Sequence, residues 1–187
     1  EFLRERVFEP LGMKTARVVG DDEVVPNRDA SYRMTDSGLR NQELVAPLWS
    51  TTADGGVTLS VLDLIAWARA LSAEKVLDRE SWAQVFDPVR LNSGHHFPYG
   101  FGWFLDTIAG QPVRRHCGDW RGFRICFAHY PVSDLTVIVL TNLGDALPSV
   151  FVQGIAEIVD PTLARDSTTI QDTEPRVTAR LRELLAP

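Results

Sequence analysis

Phe123, Ile125 and Phe127 alternate with Arg124, Cys126 and Ala128, the two-residue period of a half-buried strand. Residues 113–118 run extended before them, and Gly122 sits where the chain must reverse, so the two runs predict a hairpin. Residues 135–141, Leu-Thr-Val-Ile-Val-Leu-Thr, are β-branched and almost wholly apolar, the pattern of a central strand covered on both faces. Between these runs, Tyr130-Pro131-Val132-Ser133-Asp134 carries turn chemistry, so the strands follow one another antiparallel. Upstream, Tyr99, Phe101 and Trp103 share the same period and are read as core residues of a block, Tyr99-Gly100-Phe101-Gly102-Trp103-Phe104, that enters the sheet.

Helical spacing fills much of the rest. Residues 1–8 form an amphipathic run closed by Pro10 and by Gly12 as a C-cap. No start signal precedes this run, so the natural polypeptide is expected to begin earlier. Residues 18–49 are polar and irregular and read as a long loop that serves or covers a site. Thr51-Thr52-Ala53-Asp54-Gly55-Gly56 reads as a tight turn in which the glycines permit the backbone path. Ser60 and Asp63 then make an N-terminal box for a helix traced by Leu62, Ile65, Ala66, Arg69 and Ala70. Asp78 caps a second short helix through Trp82, Val85 and Phe86, and residues 92–98 read as a loop. After the sheet, Leu147, Val150, Phe151, Gly154, Ile155 and Ile158 form the stripe predicted to pack across a sheet face. Residues 161–173 read as a linker, and residues 174–187 as a helix with Val177, Leu181, Leu184 and Leu185 on one side, leading to or packing on another domain. The fold class is therefore α+β, an antiparallel sheet flanked by helices.

Composition narrows the partners. A 187-residue chain with 44% hydrophobic content is long enough to bury a real core. Its net charge of -6, with scattered arginines, argues against nucleic acid. No run is long enough to cross a membrane as a helix, and Glu1-Phe2-Leu3-Arg4-Glu5-Arg6 lacks the layout of a signal peptide; the compartment stays open. Two cysteines are too few for a disulfide framework, and Cys117 and Cys126 are read as thiols that do not lie opposite one another. His95, His96 and His129 match no metal-ligand spacing, so neither a metal nor another cofactor is expected.

Four ordered blocks carry the chemistry. Phe2-Leu3-Arg4-Glu5-Arg6-Val7-Phe8-Glu9-Pro10-Leu11-Gly12-Met13 comes first, then Asp54-Gly55-Gly56 ahead of Leu62-Asp63-Leu64. Tyr99-Gly100-Phe101-Gly102-Trp103 follows, and last His116-Cys117-Gly118 with Gly122-Phe123. In this order the blocks resemble the class C β-lactamase and penicillin-binding serine hydrolase family over residues 1 to about 160, the second half of that family's catalytic domain. The resemblance implies a β-lactamase/transpeptidase-like domain lacking its N-terminal part. It also implies a covalent acyl-enzyme built from Ser-x-x-Lys, Tyr-x-Asn and a strand motif of the Lys-Thr-Gly or His-x-Gly type. Carried onto this chain, His116 is the side chain facing the site, and the backbone N–H of Asp119 is the oxyanion donor. Gly118 leaves room for substrate along the strand, and Trp120 and Arg121 are candidates to line the groove, or else stack on each other.

The other two motifs are not evident. Ser72-Ala73-Glu74-Lys75 fits Ser-x-x-Lys but falls at the end of a predicted helix, whereas a nucleophile belongs at a helix start, where N–H groups and dipole favour developing negative charge. Neither Tyr32, Tyr99 nor Tyr130 is followed by a residue and then Asn. The catalytic serine, lysine and tyrosine are thus expected upstream of residue 1. Expected partners are a small-molecule or peptide substrate with an acyl group, the N-terminal half of the same domain, and a further copy of the chain through an apolar edge at residues 135–141. Two functions follow: part of a serine hydrolase of amides, esters or lactams, or a non-catalytic binding module of the same shape.

Overall fold

The computed structural model describes residues 1–19, 23–42 and 55–165. The body is a four-stranded antiparallel sheet of β7 (Phe104–Ile108), β8 (Gln111–Trp120), β9 (Phe123–Tyr130) and β10 (Leu135–Thr141), in spatial order β10-β9-β8-β7. Two-residue loops join two of its three hairpins: Ala109-Gly110 links β7 to β8 and Arg121-Gly122 links β8 to β9, all four residues at positive φ. That is the type I′ turn whose twist matches the strands it connects. Shorter strands pair around this sheet: β1 (Arg17–Val18) with β4 (Val57–Thr58), β2 (Tyr32–Thr35) with β3 (Gly38–Asn41), and β5 (Val89–Arg90) with β6 (His96–Phe97).

Helices cover both faces. On one side α3 (Pro148–Val159) packs Val152 and Ala156 against Val113, Cys126, Ala128, Tyr130 and Val137. On the other, α1 (Val61–Ser72) and α2 (Arg79–Val85) bring Ala68, Leu71 and Trp82 together with Trp103 and Phe127. The predicted caps form: Ser60 Oγ accepts from Asp63 N–H at 3.4 Å, and Asp78 accepts from Ser81 N–H at 2.7 Å. The Ser81 amide, followed by the Ser81 hydroxyl, holds the Asp78 carboxyl below the usual carboxylate range. At the N-terminus a helical run ends in a π-type turn, Arg4–Phe8, and Gly12 at φ +69° closes it with Met13 N–H on Phe8 C=O.

Several expectations are corrected. The sequence implied that Cys117 and Cys126 are unpaired thiols; they are a disulfide. The two-residue turn puts Trp120 opposite Phe123, and counting back along both strands sets Cys117 opposite Cys126. β10, read as a strand covered on both faces and as an apolar edge of this chain, is both among the described residues: α3 packs on one face, α1 lies towards the other, and β9 is the strand that pairs with it. The apolar stripe of α3 is also inverted. Leu147, Val150, Phe151, Ile155 and Ile158 are exposed, Ile158 by 82%, while Val152 and Ala156 face the sheet, because a small residue lets the helix approach closely where a large one does not.

The long polar loop contains the β2–β3 hairpin, which docks beyond β10 through Tyr32 N–H on Asn142 C=O and Gly144 N–H on Tyr32 C=O, both 2.8 Å. Part of the 92–98 loop is β6. The segment read as a linker starts with a packed turn: Asp160 caps it at Thr162 N–H, and Leu163 is fully buried beneath α3. The rest of that linker, the 174–187 helix, and Thr51 to Asp54 of the predicted tight turn lie outside the described residues.

Candidate active-site strand

The alternation of β8 sorts its side chains. Val113 and Cys117 point towards α3. Arg114, His116, Gly118 and Trp120 point to the opposite face, that of α1 and α2, opposite His129, Phe127, Ile125 and Phe123 of β9. His116 and Gly118 thus share one face, as the His-x-Gly spacing requires. Asp119 lies on the other, where its carboxylate pairs with Arg124 across the strands at 3.0 Å, and Arg124 Nε also donates to Gly144 C=O at 2.8 Å. That pairing accounts for the Asp119 side chain and leaves its backbone N–H to be placed by the ladder.

The ladder shows where that backbone points. A two-residue hairpin closes on a hydrogen-bonded pair, here Trp120 with Phe123, so Asp119 and Arg124 form the next, non-hydrogen-bonded pair. The N–H of Asp119 therefore points away from β9. On that outer side β7 pairs with β8 only from Gln111 to Arg115. From His116 to Trp120 the outer edge of β8 has no strand beside it among the described residues. Gly118 fits closely beneath Ile125 of β9, where a Cβ would come 3.2 Å from that side chain.

His116 is exposed on this edge and held by aromatic neighbours. Tyr99 Oη lies 3.2 Å from its Nε2, and the Phe104 ring stacks at 5.8 Å between centroids. Tyr99, expected in the core, thus stands beside His116. Phe101, also expected in the core, is 74% exposed, and only Trp103 of the three is buried. The motif carried no sign of this, because strand periodicity does not distinguish a ring that fills a core from one whose hydroxyl reaches a neighbouring histidine.

Trp120 ends β8 and Arg121 follows it in the two-residue turn, so both sit at the hairpin tip. Gly55 lies against the Trp120 indole so closely that a Cβ would come within 2.9 Å of the ring, so this glycine serves close packing as well as a turn. Arg121 borders a separate cavity of 260 Å³ with Arg28, Asp29, Ala30, Ser31, Gln42 and Phe123. Ser72 is the last residue of α1 and lines a groove with Arg69, Asp134, Thr136 and Ile138, at the wrong end of a helix for a nucleophile. His129 is buried with Nδ1 2.9 Å from Thr136 Oγ1; burial, and then the charge of Arg114, push its pKa down while Asp134 opposes them. Burial also lowers the pKa of Arg114, whose guanidinium lies 3.7 Å over the Phe86 ring. Among the described residues, no group of three or more His, Cys, Asp or Glu is placed to hold a metal ion.

The antiparallel sheet between helical layers is the α+β fold of β-lactamase and penicillin-binding proteins. The chain belongs to the beta-lactamase family, whose sequence model matches residues 1–157. It is 28% identical to a D-aminopeptidase of Gluconobacter oxydans over 92% of this chain and 33% of the relative. It is also 28% identical to penicillin-binding protein 4* of Bacillus subtilis, over 76% of this chain and 34% of that protein. The chain thus spans about a third of the length of these curated relatives. In three dimensions it is similar to the octameric penicillin-binding protein homologue from Pyrococcus abyssi, with TM-score 0.72 and 20% identity, over 100% of this chain and 42% of that one.

Proposed function

We propose that this chain supplies the substrate strand and oxyanion donor of an acyl-enzyme hydrolase acting on an amide, ester or lactam, with the serine, lysine and tyrosine motifs on sequence preceding residue 1. One observation carries this reading: among the described residues no strand pairs with the outer edge of β8 beyond Arg115, where His116 and the Asp119 N–H lie. An extended acyl substrate can lie along such an edge and pair with its backbone. Serine Oγ then bonds to the carbonyl carbon while its proton passes to the lysine and tyrosine pair. The carbonyl oxygen, now negative, accepts from the Asp119 N–H, and collapse releases the protonated leaving group before water frees the acyl group. His116 binds substrate at the rim and Gly118 keeps the path clear. Trp120 and Arg121 shape the hairpin tip and contact only substrates that extend past it. The names of the D-aminopeptidase relatives favour an amide bond next to a D-residue.

The same reading implies a protein partner. The open side of β10 and the exposed stripe of α3 leave apolar surface for the N-terminal half of the domain or for a second copy. On its own the chain is expected to self-associate; a monodisperse monomer by light scattering would contradict this.

The test is intact mass spectrometry after incubation with a fluorophosphonate and, separately, with a penicillin, on this chain and on a version extended upstream. Adduct on the extended version alone supports the reading. Labelling of this chain at Ser72 would overturn the assignment of the nucleophile, and labelling of neither would favour the non-catalytic module.

A further inference from the structure

We infer that Tyr99 is a positioning residue for His116: its hydroxyl donates to Nε2, fixes the neutral ring as the Nδ1–H tautomer, and leaves Nδ1–H as the donor offered to a substrate oxygen. The inference rests on the reading of His116 as a substrate-binding residue. A phenol hydroxyl can donate or accept, and a neutral imidazole has one nitrogen of each kind, so a single hydrogen bond decides the tautomer. Donation by the phenol is the stronger arrangement, because its oxygen lone pair is drawn into the ring while the imidazole nitrogen keeps its own in the plane.

The surroundings show that this contact is built. Gly100 passes so close to the end of α2 that a Cβ would fall 2.0 Å from the Val85 carbonyl oxygen, which no side chain allows. Phe101 N–H donates to that same carbonyl at 3.0 Å, and Gly100 N–H donates to Trp103 C=O at 2.8 Å. Gly102 turns the chain at φ +80°, and Trp103 anchors it in the core edge-on to Phe127 at 5.4 Å. Tyr99 itself accepts from Val89 N–H at 2.9 Å through its carbonyl, and its ring meets Phe104 edge-on at 4.8 Å. Phe104 in turn stacks on His116. The whole Tyr99 to Trp103 block therefore acts as a mount with one polar product, a hydroxyl at hydrogen-bond distance from the site histidine.

Nitrogen-15 imidazole NMR on the version extended upstream reads the tautomer directly. In the unmodified protein at neutral pH, the His116 Nδ1 resonance should be that of a protonated nitrogen and Nε2 that of a bare acceptor. Tyr99→Phe keeps the ring and removes only the hydroxyl; it should move the proton population towards Nε2 and lower kcat/KM by roughly three- to tenfold. The same tautomer in both proteins, or a protonated Nε2 in the unmodified one, would overturn the inference. So would a tautomer shift with unchanged kcat/KM. Failure of the underlying site reading looks different: His116→Ala would then leave turnover intact.

Discussion

Asp63 is 3% exposed, and the group that satisfies it is 48 residues away in the chain. Its carboxylate accepts from the backbone N–H of Thr15 at 3.0 Å and from the Thr15 hydroxyl. The same hydroxyl accepts from Ser60 N–H at 3.0 Å, so Thr15 completes the cap of α1 and ties the N-terminal block to it. Asp63→Ala removes two charge-assisted bonds of about 1.5–3 kcal/mol each, offset by relief of the several kcal/mol that a buried carboxylate costs. The net expectation is a loss of about 2–4 kcal/mol. Thr15→Val keeps the shape and loses the hydroxyl with its bonds to Asp63 and to the exposed Ser60 N–H, which water can then satisfy, for about 0.5–1.5 kcal/mol. Because both changes break one network, the double variant should fall short of additivity by about 1 kcal/mol or more. Urea unfolding followed through the buried Trp82 and Trp103 measures each value, preferably on the version extended upstream, with the slope held constant as the control. Additivity within about 0.3 kcal/mol would refute the idea that Thr15 and Asp63 act as one unit.

Other outcomes follow from the same physics. Neither Cys117 nor Cys126 should be alkylated before reduction; closing a loop of sequence separation 9 contributes about 2.5 kcal/mol, so reduction should lower the unfolding midpoint, and free thiols in the untreated protein would contradict the pairing. Leu163→Ala, at a fully buried position, should cost about 2–5 kcal/mol, whereas a free linker would register almost nothing. His129 has its folded-state pKa pushed below 6.5, so the unfolded chain takes up the proton first. Stability from this group is complete above about pH 6.5 and falls as pH drops below it, and His129→Gln should flatten that slope in denaturation measured from pH 8 to 5.

Local pattern determined much of this protein. The period-two run of β9, the extended run of β8, the caps at Ser60 and Asp78, and Gly122 at the hairpin reversal are all features set within a few residues of one another, and the four ordered blocks placed His116 and Gly118 on one strand. Long-range packing decided the rest. Apolar residues ring α3, so the stripe of Leu147, Phe151 and Ile158 was as legible as the face of Val152 and Ala156; only the close approach of helix to sheet selects the smaller pair. Cys117 meets Cys126 because a two-residue turn sets the register between strands. Tyr99 reaches His116, and Thr15 reaches Asp63, across 17 and 48 residues of chain. Such contacts leave no periodic trace, since periodicity records which face of an element is apolar and not what that face meets.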